Sequence, residues 1–340
     1  MTIRPLGLAR GIVFVGALAV FPLLAHANWV VNIGVFTIMY AALATAWNLF
    51  SGYSGYISLG HVAFFGIGAY TLAIVLDHWH VGGYVPFYLL PLIGVGTALV
   101  ALPLGRIALR VRAMTFAIVT LTTLFVFQQL AFNVRSLTHG SSGYSLPLPT
   151  FSVGTYERPF YMAMLGVLVL GLLLSWHIRH SKLGLMLLSI REDEEKARGL
   201  GVRTTGAKLI TFALSAGLTA MVGAIWAYYI GYIYPEYSVD PLVMVGSVLP
   251  VFLGGRATLW GPVLGALILV PAQQYMAYRL GASQLYLVGY AAVFVAILLV
   301  LPRGILPSIR DAFDRWRFRT RRSSLAGVSA EPTAAGRRAT

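Results

Sequence analysis

The sequence predicts an all-α integral membrane protein that crosses the bilayer about ten times. Of its 340 residues, 58% are hydrophobic and only 11% are charged, whereas a soluble globular protein usually carries about a quarter charged residues. The hydrophobic residues gather into ten separate stretches, most of them long enough to span a bilayer as a helix of about 20 residues. Lysine and arginine gather in alternate connections between them, which is typical of a polytopic membrane protein.

The ten predicted segments follow one another along most of the chain. They cover residues 8–27, 29–50, 57–76, 84–104, 113–134, 160–178, 208–234, 241–254, 259–277 and 285–301. The first has the basic start of a signal peptide and a sequence at 25–27 that resembles a cleavage site, but we expect an uncleaved helix because further spans follow at once. The eighth is too short for a full span and predicts a broken or re-entrant helix.

The basic residues predict the orientation of these segments. If the amino terminus is cytoplasmic, only Arg135, Arg158 and Arg279 fall in loops on the opposite side. The positive-inside rule therefore places both termini in the cytoplasm. The formal net charge of +14 then reflects topology and contact with membrane lipids, and we expect no nucleic-acid partner.

Few residues in the apolar segments could serve an enzyme or an ion-coupled carrier. All eleven acidic residues lie outside these segments or at an end, as Asp77 does, whereas a proton-driven carrier typically keeps a carboxylate in the membrane. A sodium-driven carrier could still use backbone carbonyls at broken helices. Because the chain also has no cysteine, no phosphate-binding loop and no paired intramembrane carboxylates, we expect no catalytic residue, metal or cofactor.

Residues 179–208, called here the charged segment, interrupt the apolar pattern. Even one ionised side chain costs roughly 2.5 kcal/mol or more at the bilayer centre, so this stretch must lie in water. Leu183, Leu187 and Ile190 recur at helical spacing and give the segment an apolar side. The sequence thus predicts a short amphipathic helix, against the simpler interpretation of a solvated charged loop.

The charges of this segment are ordered as a helix prefers. Glu192 with Lys196, and Glu194 with Arg198, are spaced as i,i+4 pairs with the acidic residue first, an arrangement that stabilises a helix by about 0.2 to 0.5 kcal/mol per pair. The glycines that follow favour a C-terminal stop. We therefore expect a helix, a break at these glycines and a basic return to the membrane.

Polar side chains inside the apolar segments are candidates for a translocation pathway. Several lie in the glycine-rich stretch at residues 47–70, where glycine permits close helix approach and broken backbone. The pathway candidates are Asn48, Ser51, Ser58, His61, Thr115, Thr120 and Gln128. For each, a hydrogen bond between helices is an equally good interpretation, and for His61 we favour it over contact with a solute.

A second glycine-rich stretch predicts a tight turn between two short helices. The residues of this structural turn are Gly254, Gly255, Trp260, Gly261 and Pro262. Proline is acceptable in the first turn of a helix, so the next segment starts at the Gly-Pro pair. The turn either contacts a partner or only reverses the chain.

Two further regions are predicted to be irregular. Residues 135–159 are rich in glycine, serine, threonine and proline, as expected for an outer loop. Residues 310–340 form a basic tail whose alternating arginines and aromatics suit anionic lipid headgroups, and we expect it to be disordered. The transmembrane domain then occupies residues 1–309.

Six stretches of the sequence resemble the permease subunits of branched-chain amino acid ABC importers, of the LivM type. They occur in the order found in that family, from about residue 47 to residue 304. The stretches are residues 47–70, 109–121, 136–143, 181–202, 254–266 and 301–306. The chain departs from the family pattern near Thr138 and at the pair Arg256-Ala257, which affects the outer loop and the tight turn.

The resemblance implies a permease subunit of the bacterial plasma (inner) membrane that hydrolyses no ATP itself. It implies as partners a second permease subunit, two cytoplasmic ATPase subunits and a periplasmic or extracellular solute-binding protein. The charged segment would couple the permease to the ATPases. The residues implied in this coupling are Ser189, Arg191, Glu192, Glu194, Glu195, Gly199 and Gly201.

Three alternatives to an amino acid importer remain. Within the resemblance, the solute could be urea or a short amide. A sodium-coupled secondary carrier would transport without ATPase partners. A membrane-embedded lipid enzyme would have only His61 and hydroxyl groups to work with.

Overall fold

The computed structural model describes residues 5–280, except 26, 148, 150 and 153, together with residues 304–309 and a few scattered positions from 289 to 299. These residues are mostly helical. The longer helices are α1 (Pro5–Leu24), α2 (Asn28–Trp47), α3 (His61–Trp79), α5 (Leu90–Ala108), α6 (Ala113–Asn133), α8 (Glu157–His180), α9 (Lys182–Glu192), α11 (Thr204–Ile230), α13 (Pro241–Gly254) and α14 (Gly261–Leu280). The short ones are α4 (Val85–Tyr88), α7 (Arg135–Thr138), α10 (Glu194–Gly199) and α12 (Pro235–Ser238).

Seven helical stretches among the described residues are long and apolar enough to cross a membrane. They are Asn28–Gly52, His61–Trp79, Leu90–Ala108, Ala113–Asn133, Glu157–His180, Thr204–Ile230 and Pro235–Gly254. The all-α, multi-pass class is therefore confirmed, whereas the count of about ten is not. Predicted segments 8–27 and 259–277 form the helices α1 and α14 without meeting the same criterion, and segment 285–301 lies largely outside the described residues, as the tail from 310 does entirely.

Helix α11 lies at the centre of the bundle and packs against α2, α3, α5 and α8. Its contact with α3 is close because glycines face backbone on both sides. A Cβ atom at Gly68 would lie 2.0 Å from the carbonyl oxygen of Ala220, and one at Gly223 would lie 2.0 Å from that of Phe65. Small residues of this kind let helix backbones approach within a membrane.

The outer loop contains more regular structure than its composition predicts. Strand β1 (Tyr144–Ser145) pairs antiparallel with β2 (Tyr232–Ile233), which directly follows α11. Gly143 precedes β1 with φ +69°, and a Cβ there would lie 2.7 Å from the Ile233 carbonyl oxygen, so glycine is required at this position. The expectation of a wholly irregular loop at residues 135–159 is therefore wrong.

The connection between α2 and α3 is broken. A π-helical turn, Asn48–Gly52, extends α2, and residues 55–60 are not helical before α3 begins at His61. The predicted third segment started at residue 57, inside this break. The glycines and hydroxyl residues that made the prediction ambiguous are those that form the broken backbone, called here the α2–α3 connection (residues 48–60).

Candidate coupling site

The charged segment folds as two helices at an angle, and the break between them lies at Asp193. This residue has an extended backbone, and its side chain accepts a hydrogen bond from the backbone N–H of Lys196 at 3.1 Å, which caps the start of α10. Lys196 Nζ also pairs with Asp193 at 3.1 Å. The predicted Glu192–Lys196 pair is therefore wrong, because the break places the two residues on different helices.

Helix α10 ends at Gly199, and the chain turns at Gly201. Gly201 has φ +84°, which an L side chain rarely adopts. The Val202 N–H donates to the Ala197 carbonyl, and the Gly201 N–H donates to that of Arg198. This is the Schellman pattern of helix termination, in which glycine supplies the left-handed residue.

The two faces of helix α9 differ in exposure. Leu187 and Ile190 are buried against the bundle, as their spacing predicts. On the other face, Leu185 and Leu188 are 68% and 41% exposed, and Leu200, beyond α10, is 86% exposed. The segment thus has an inner side that is packed on the membrane helices and an outer side with apolar residues that the described chain leaves uncovered.

Glu194 is the centre of a partly buried ionic cluster. Its carboxylate accepts from Lys208 Nζ at 2.7 Å, from Arg198 at 3.0 Å and from the hydroxyl of Tyr56. Lys208 also lies over the Tyr56 ring, 4.1 Å from its centroid. We call Glu194, Lys208, Tyr56 and Arg198 the Glu194 cluster; it joins α10 to α11 and to the α2–α3 connection.

The electrostatics of this cluster favour the charged pair. Lys208 is only 1% exposed, and an ammonium group buried so deeply requires a counter-charge. Burial alone would raise the pKa of Glu194, but the hydrogen bonds and charges of Lys208, Tyr56 and Arg198 outweigh burial and lower that pKa below its ordinary value. The carboxylate is therefore ionised at neutral pH.

The charged segment also contacts the α2–α3 connection directly through Arg191. Its Nη1 donates to the carbonyl oxygen of Gly52 at 3.4 Å. Gly55 has φ +79°, and a Cβ there would lie 3.1 Å from the Arg191 side chain. Glycine at this position thus permits both the backbone conformation and the close approach of Arg191.

Asn48 connects the same broken helix to the tight turn. Its side-chain amide donates to the Thr258 carbonyl at 3.0 Å and accepts from the Ala257 N–H at 2.9 Å. Both the NH2 group and the oxygen of this amide therefore form hydrogen bonds with the tight turn. Ser51, one helical turn later, accepts from the Ser58 N–H at 3.2 Å, so it satisfies backbone within the connection.

His61 forms a second, neutral set of contacts to α11. The Ser215 hydroxyl donates to the Ala46 carbonyl at 2.5 Å, so we assign the 2.6 Å contact with His61 as donation from Nε2–H to Ser215. The other ring nitrogen, Nδ1, then accepts from the Ser58 hydroxyl at 2.7 Å. We call His61, Ser58, Ser215 and Ala46 the His61 cluster.

The remaining pathway candidates lie on α6. Thr120 is buried, and its hydroxyl accepts from the Leu59 N–H at 3.0 Å, which ties α6 to the α2–α3 connection. Gln128 is half-buried and donates to the Val239 carbonyl at 3.4 Å, whereas Thr115 is exposed. The structure therefore gathers the candidates around the connection, apart from Gln128 and Thr115.

The tight turn packs closely against its surroundings. A Cβ at Gly254 would lie 1.7 Å from the Gly261 carbonyl oxygen, and Gly255 has φ +119°. Pro262 follows Gly261 in the first turn of α14, and the Trp260 ring lies edge-on to Phe14, with ring centroids 5.4 Å apart. The double glycine allows two helix ends to meet.

Sequence reasoning missed two residues of the Glu194 cluster. Tyr56 lies in an apolar stretch with no charge nearby, so nothing local indicated a carboxylate partner. Lys208 was counted as one of the basic residues on the way back to the membrane. Its position as the first residue of a predicted span was the available signal, because a lysine there is buried unless it extends to water.

A polar cleft of about 460 Å³ separates the charged segment from the loop between α5 and α6. Basic and acidic side chains both line it, including Arg110, Arg112, Glu192 and Glu195. One ion pair, Arg112–Glu195 at 2.9 Å, crosses the cleft with both side chains well exposed. Exposed pairs contribute little to stability, so the two walls are joined only weakly.

Comparisons with known proteins agree with the resemblance of the sequence motifs. The family model for the permease component of branched-chain amino acid transport systems matches residues 29–301. The chain is 31% identical to the high-affinity branched-chain amino acid transport system permease protein LivM of Salmonella typhimurium, over 82% of this chain and 70% of that protein. No solved structure matches the chain.

Two further relatives are also permease proteins of transport or import systems. The chain is 25% identical to the permease protein LivH of Salmonella typhimurium, over 78% of this chain and 91% of that protein. A stretch of 107 residues is 34% identical to LsrC, the autoinducer 2 import system permease protein of Salmonella paratyphi B, over 30% of this chain and 31% of that protein. Since the family model covers most of the chain and LivM matches most of its length, the chain belongs to the permease components of branched-chain amino acid transport systems and is of the LivM type.

Proposed function

We propose that this chain is a pore-forming subunit of an ABC importer for branched-chain or related amino acids, powered by separate ATPase subunits. The observation that carries the proposal is the two-sided charged segment. Its inner side is joined to α11 and to the α2–α3 connection, and its outer side exposes Leu185, Leu188 and Leu200. A docked ATPase would cover these leucines, and its movement would reach the membrane helices through the inner contacts.

Transmission of this movement depends on rigid contacts. Helices that are locked by an ion pair and hydrogen bonds shift as a unit between discrete arrangements rather than deform gradually. The Glu194 cluster and Arg191 provide such contacts on the inner side. Gly199 and Gly201 close α10, while Ser189, Glu192 and Glu195 lie beside the docking side. We propose that these residues couple nucleotide-driven closure to opening of the pathway.

The remaining parts of the assembly follow from the same proposal. LivM and LivH are two kinds of relative, which supports a heteromeric pore with a second permease subunit. We place the charged segment, both termini and the basic tail at 310–340 in the cytoplasm, and the loop at 135–159 outside, towards a solute-binding protein. The membrane would be the bacterial plasma (inner) membrane, crossed by about ten segments of a domain at residues 1–309.

The pathway would lie along the α2–α3 connection. Asn48, Ser51, Ser58, His61 and Thr120 meet there, and Thr115 and Gln128 would line its α6 side. Most of these polar groups already have hydrogen-bond partners within the protein, and the described spans hold no cluster of charges for a free carboxylate. Selectivity for the solute would then rest mainly with the solute-binding protein.

The test is co-purification and uptake with matched leucine variants. The double variant L185A/L188A should retain about tenfold less ATPase, because it removes exposed apolar side chains that the docked partner would bury. The control L99A/L173A removes leucines of comparable exposure, 61% and 57%, from α5 and α8 and should retain the partner. Equal retention by both, or uptake in liposomes driven by sodium without ATPase, would contradict the proposal.

A second candidate concerns the solute alone. The partial match to LsrC shows that a related permease sequence occurs in a system named for autoinducer 2. The ligand that remains in the co-purified solute-binding protein, identified by mass spectrometry, distinguishes the possibilities. A branched-chain amino acid supports the first proposal, whereas urea, a short amide or autoinducer 2 changes the solute and leaves the coupling mechanism intact.

A further inference from the structure

Arg191 of the charged segment and Arg256 of the tight turn both lie at the broken end of α2. Arg191, the penultimate residue of α9, donates to the Gly52 carbonyl at 3.4 Å. Arg256 lies in the tight turn, with its guanidinium over the Phe252 ring, 5.2 Å from the centroid. Gly52 links the two sites, because a Cβ there would lie only 3.2 Å from the Ala257 nitrogen. The charged segment and the tight turn therefore meet at the broken end of α2.

No acidic side chain of the described residues compensates the positive charge of this arrangement. The ion pairs among the described residues are Arg112–Glu195, Lys196–Asp193, Arg198–Glu194 and Lys208–Glu194. Arg191 and Arg256 take part in none of them, and the buried Nε of Arg256 has no hydrogen-bond acceptor within the described part of the chain. Burial and the nearby charge of Arg191 lower the pKa of Arg256. Two like charges near each other are unfavourable, and one anion bound between the two guanidinium groups would relieve their repulsion.

We propose that Arg191 and Arg256 together bind one carboxylate side chain of the ATPase subunit, which makes the tight turn a second docking point beside the charged segment. The inference rests on the proposed function. Guanidinium groups match a carboxylate by paired, charge-assisted hydrogen bonds. A protein carboxylate is favoured over a lipid headgroup because Arg191 continues the exposed row of Leu185 and Leu188 at intervals of three residues, so a partner that covers the leucines reaches it.

The experiment compares charge-reversal variants in the assembled transporter. The chain is co-expressed with its ATPase, sister permease and solute-binding subunits and purified by a tag on the chain. The variants R191E and R256E should each retain about tenfold less ATPase than wild type. The double variant R191E/R256E should retain little less than either single variant, because both arginines bind the same carboxylate. The control R203E makes the same charge change at an exposed arginine of the charged segment and should stay within about twofold of wild type.

Neutral variants keep the test valid if a reversed charge prevents insertion. R191Q and R256Q should also reduce the amount of retained ATPase, but by less than the charge reversals do. Size-exclusion chromatography shows whether each variant subunit is folded. An acidic-to-arginine substitution in the ATPase that restores retention to R256E would identify the bound carboxylate and support the inference.

Two results would overturn the inference without affecting the proposed function. One is retention of the ATPase by R191E/R256E at the level of R203E. The other is loss of a co-purified anionic lipid from R191E/R256E with normal ATPase retention, which would make the pair a lipid site. If wild type itself retains no ATPase, the proposed function fails, and the inference fails with it.

Discussion

The Glu194 cluster and the His61 cluster connect the same two parts of the protein by different chemistry. Each joins the α2–α3 connection to α11, through Tyr56 and Lys208 in one case and Ser58 and Ser215 in the other. Lys208 and Ser215 are seven residues apart, which is two helical turns or about 10 Å. The first cluster is ionic and includes the charged segment, whereas the second consists of neutral groups and lies deeper in α11.

The difference follows the cost of burying charge. A charged pair is tolerated near the beginning of α11 because Glu194 of the charged segment supplies the counter-charge for the buried Lys208. Two turns deeper, imidazole and hydroxyl groups hold the same helices without a net charge. Under the proposed function, the Glu194 cluster would transmit the movement of a docked partner, and the His61 cluster would hold together the helices that receive it.

The largest loss of stability is expected when the Glu194 cluster loses its buried cation, Lys208. Lys208→Met leaves Glu194 partly buried with Arg198 as its remaining basic partner, which we expect to destabilise the fold by about 3 kcal/mol. The measurement is thermal unfolding of the detergent-solubilised subunit. Lys196→Met is the matched control, because that lysine pairs only with Asp193 at the surface. Equal melting temperatures for the two variants would contradict a structural role for the ionic cluster.

The double variant K208M/E194Q separates stability from coupling. Removal of both charges avoids the unpaired carboxylate, so the melting temperature should recover most of the loss. Uptake should remain low, because α10 is no longer joined to α11 by an ion pair. Recovery of uptake together with stability would show that the cluster only supports the fold.

A smaller loss of stability is expected from a substitution in the His61 cluster. His61→Phe removes one donor and one acceptor and leaves the Ser58 hydroxyl without its partner, which we expect to cost about 1 to 2 kcal/mol. The exposed His177 on α8 provides the control variant His177→Phe. Uptake per folded subunit should be nearly unchanged. If uptake falls while the melting temperature does not, His61 contacts the solute and its pathway role is supported.

Acidification should weaken the ionic cluster through Glu194. The native pKa of this carboxyl is lower than its ordinary value of 4.5, so the cluster contributes its full stabilisation above that value and loses it as pH falls through the lower native pKa. Melting temperatures of wild type and Glu194→Gln are compared from pH 7 to about pH 3.5. The gap between them should close at the acid end by about 2 °C; a constant gap would contradict ionisation of Glu194.

The sequence predicted the parts of the molecule that depend on local composition. Apolar length located most of the membrane helices, and the spacing of Leu187 and Ile190 located the buried side of α9. The broken connection was only suggested, because glycine permits a break without requiring one. The Asp193 break was missed, since an aspartate can continue a helix or cap the next one, and the capping bond to Lys196 decides between them.

The pairings within the candidate site could not be read from the sequence at all. Tyr56 and Glu194 are 138 residues apart, and Asn48 and Thr258 are 210 apart. Such contacts depend on how α2, α11 and the tight turn pack together. Only a few of their members, such as Lys208 at the start of an apolar segment, are unusual enough locally to indicate that a partner exists.

The smallest effect is expected at the exposed pair that crosses the polar cleft. Arg112 and Glu195 form a 2.9 Å ion pair, but their side chains are 90% and 79% exposed, so Glu195→Gln should change stability by less than about 0.5 kcal/mol. Glu195 neighbours Glu194 in sequence, and the same substitution there should cost more because Glu194 pairs with a buried lysine. Urea unfolding of the two variants measures the difference directly. If they prove equal, burial of Lys208 does not set the strength of the ionic cluster, and the contrast with the neutral cluster around His61 must rest on geometry rather than on charge.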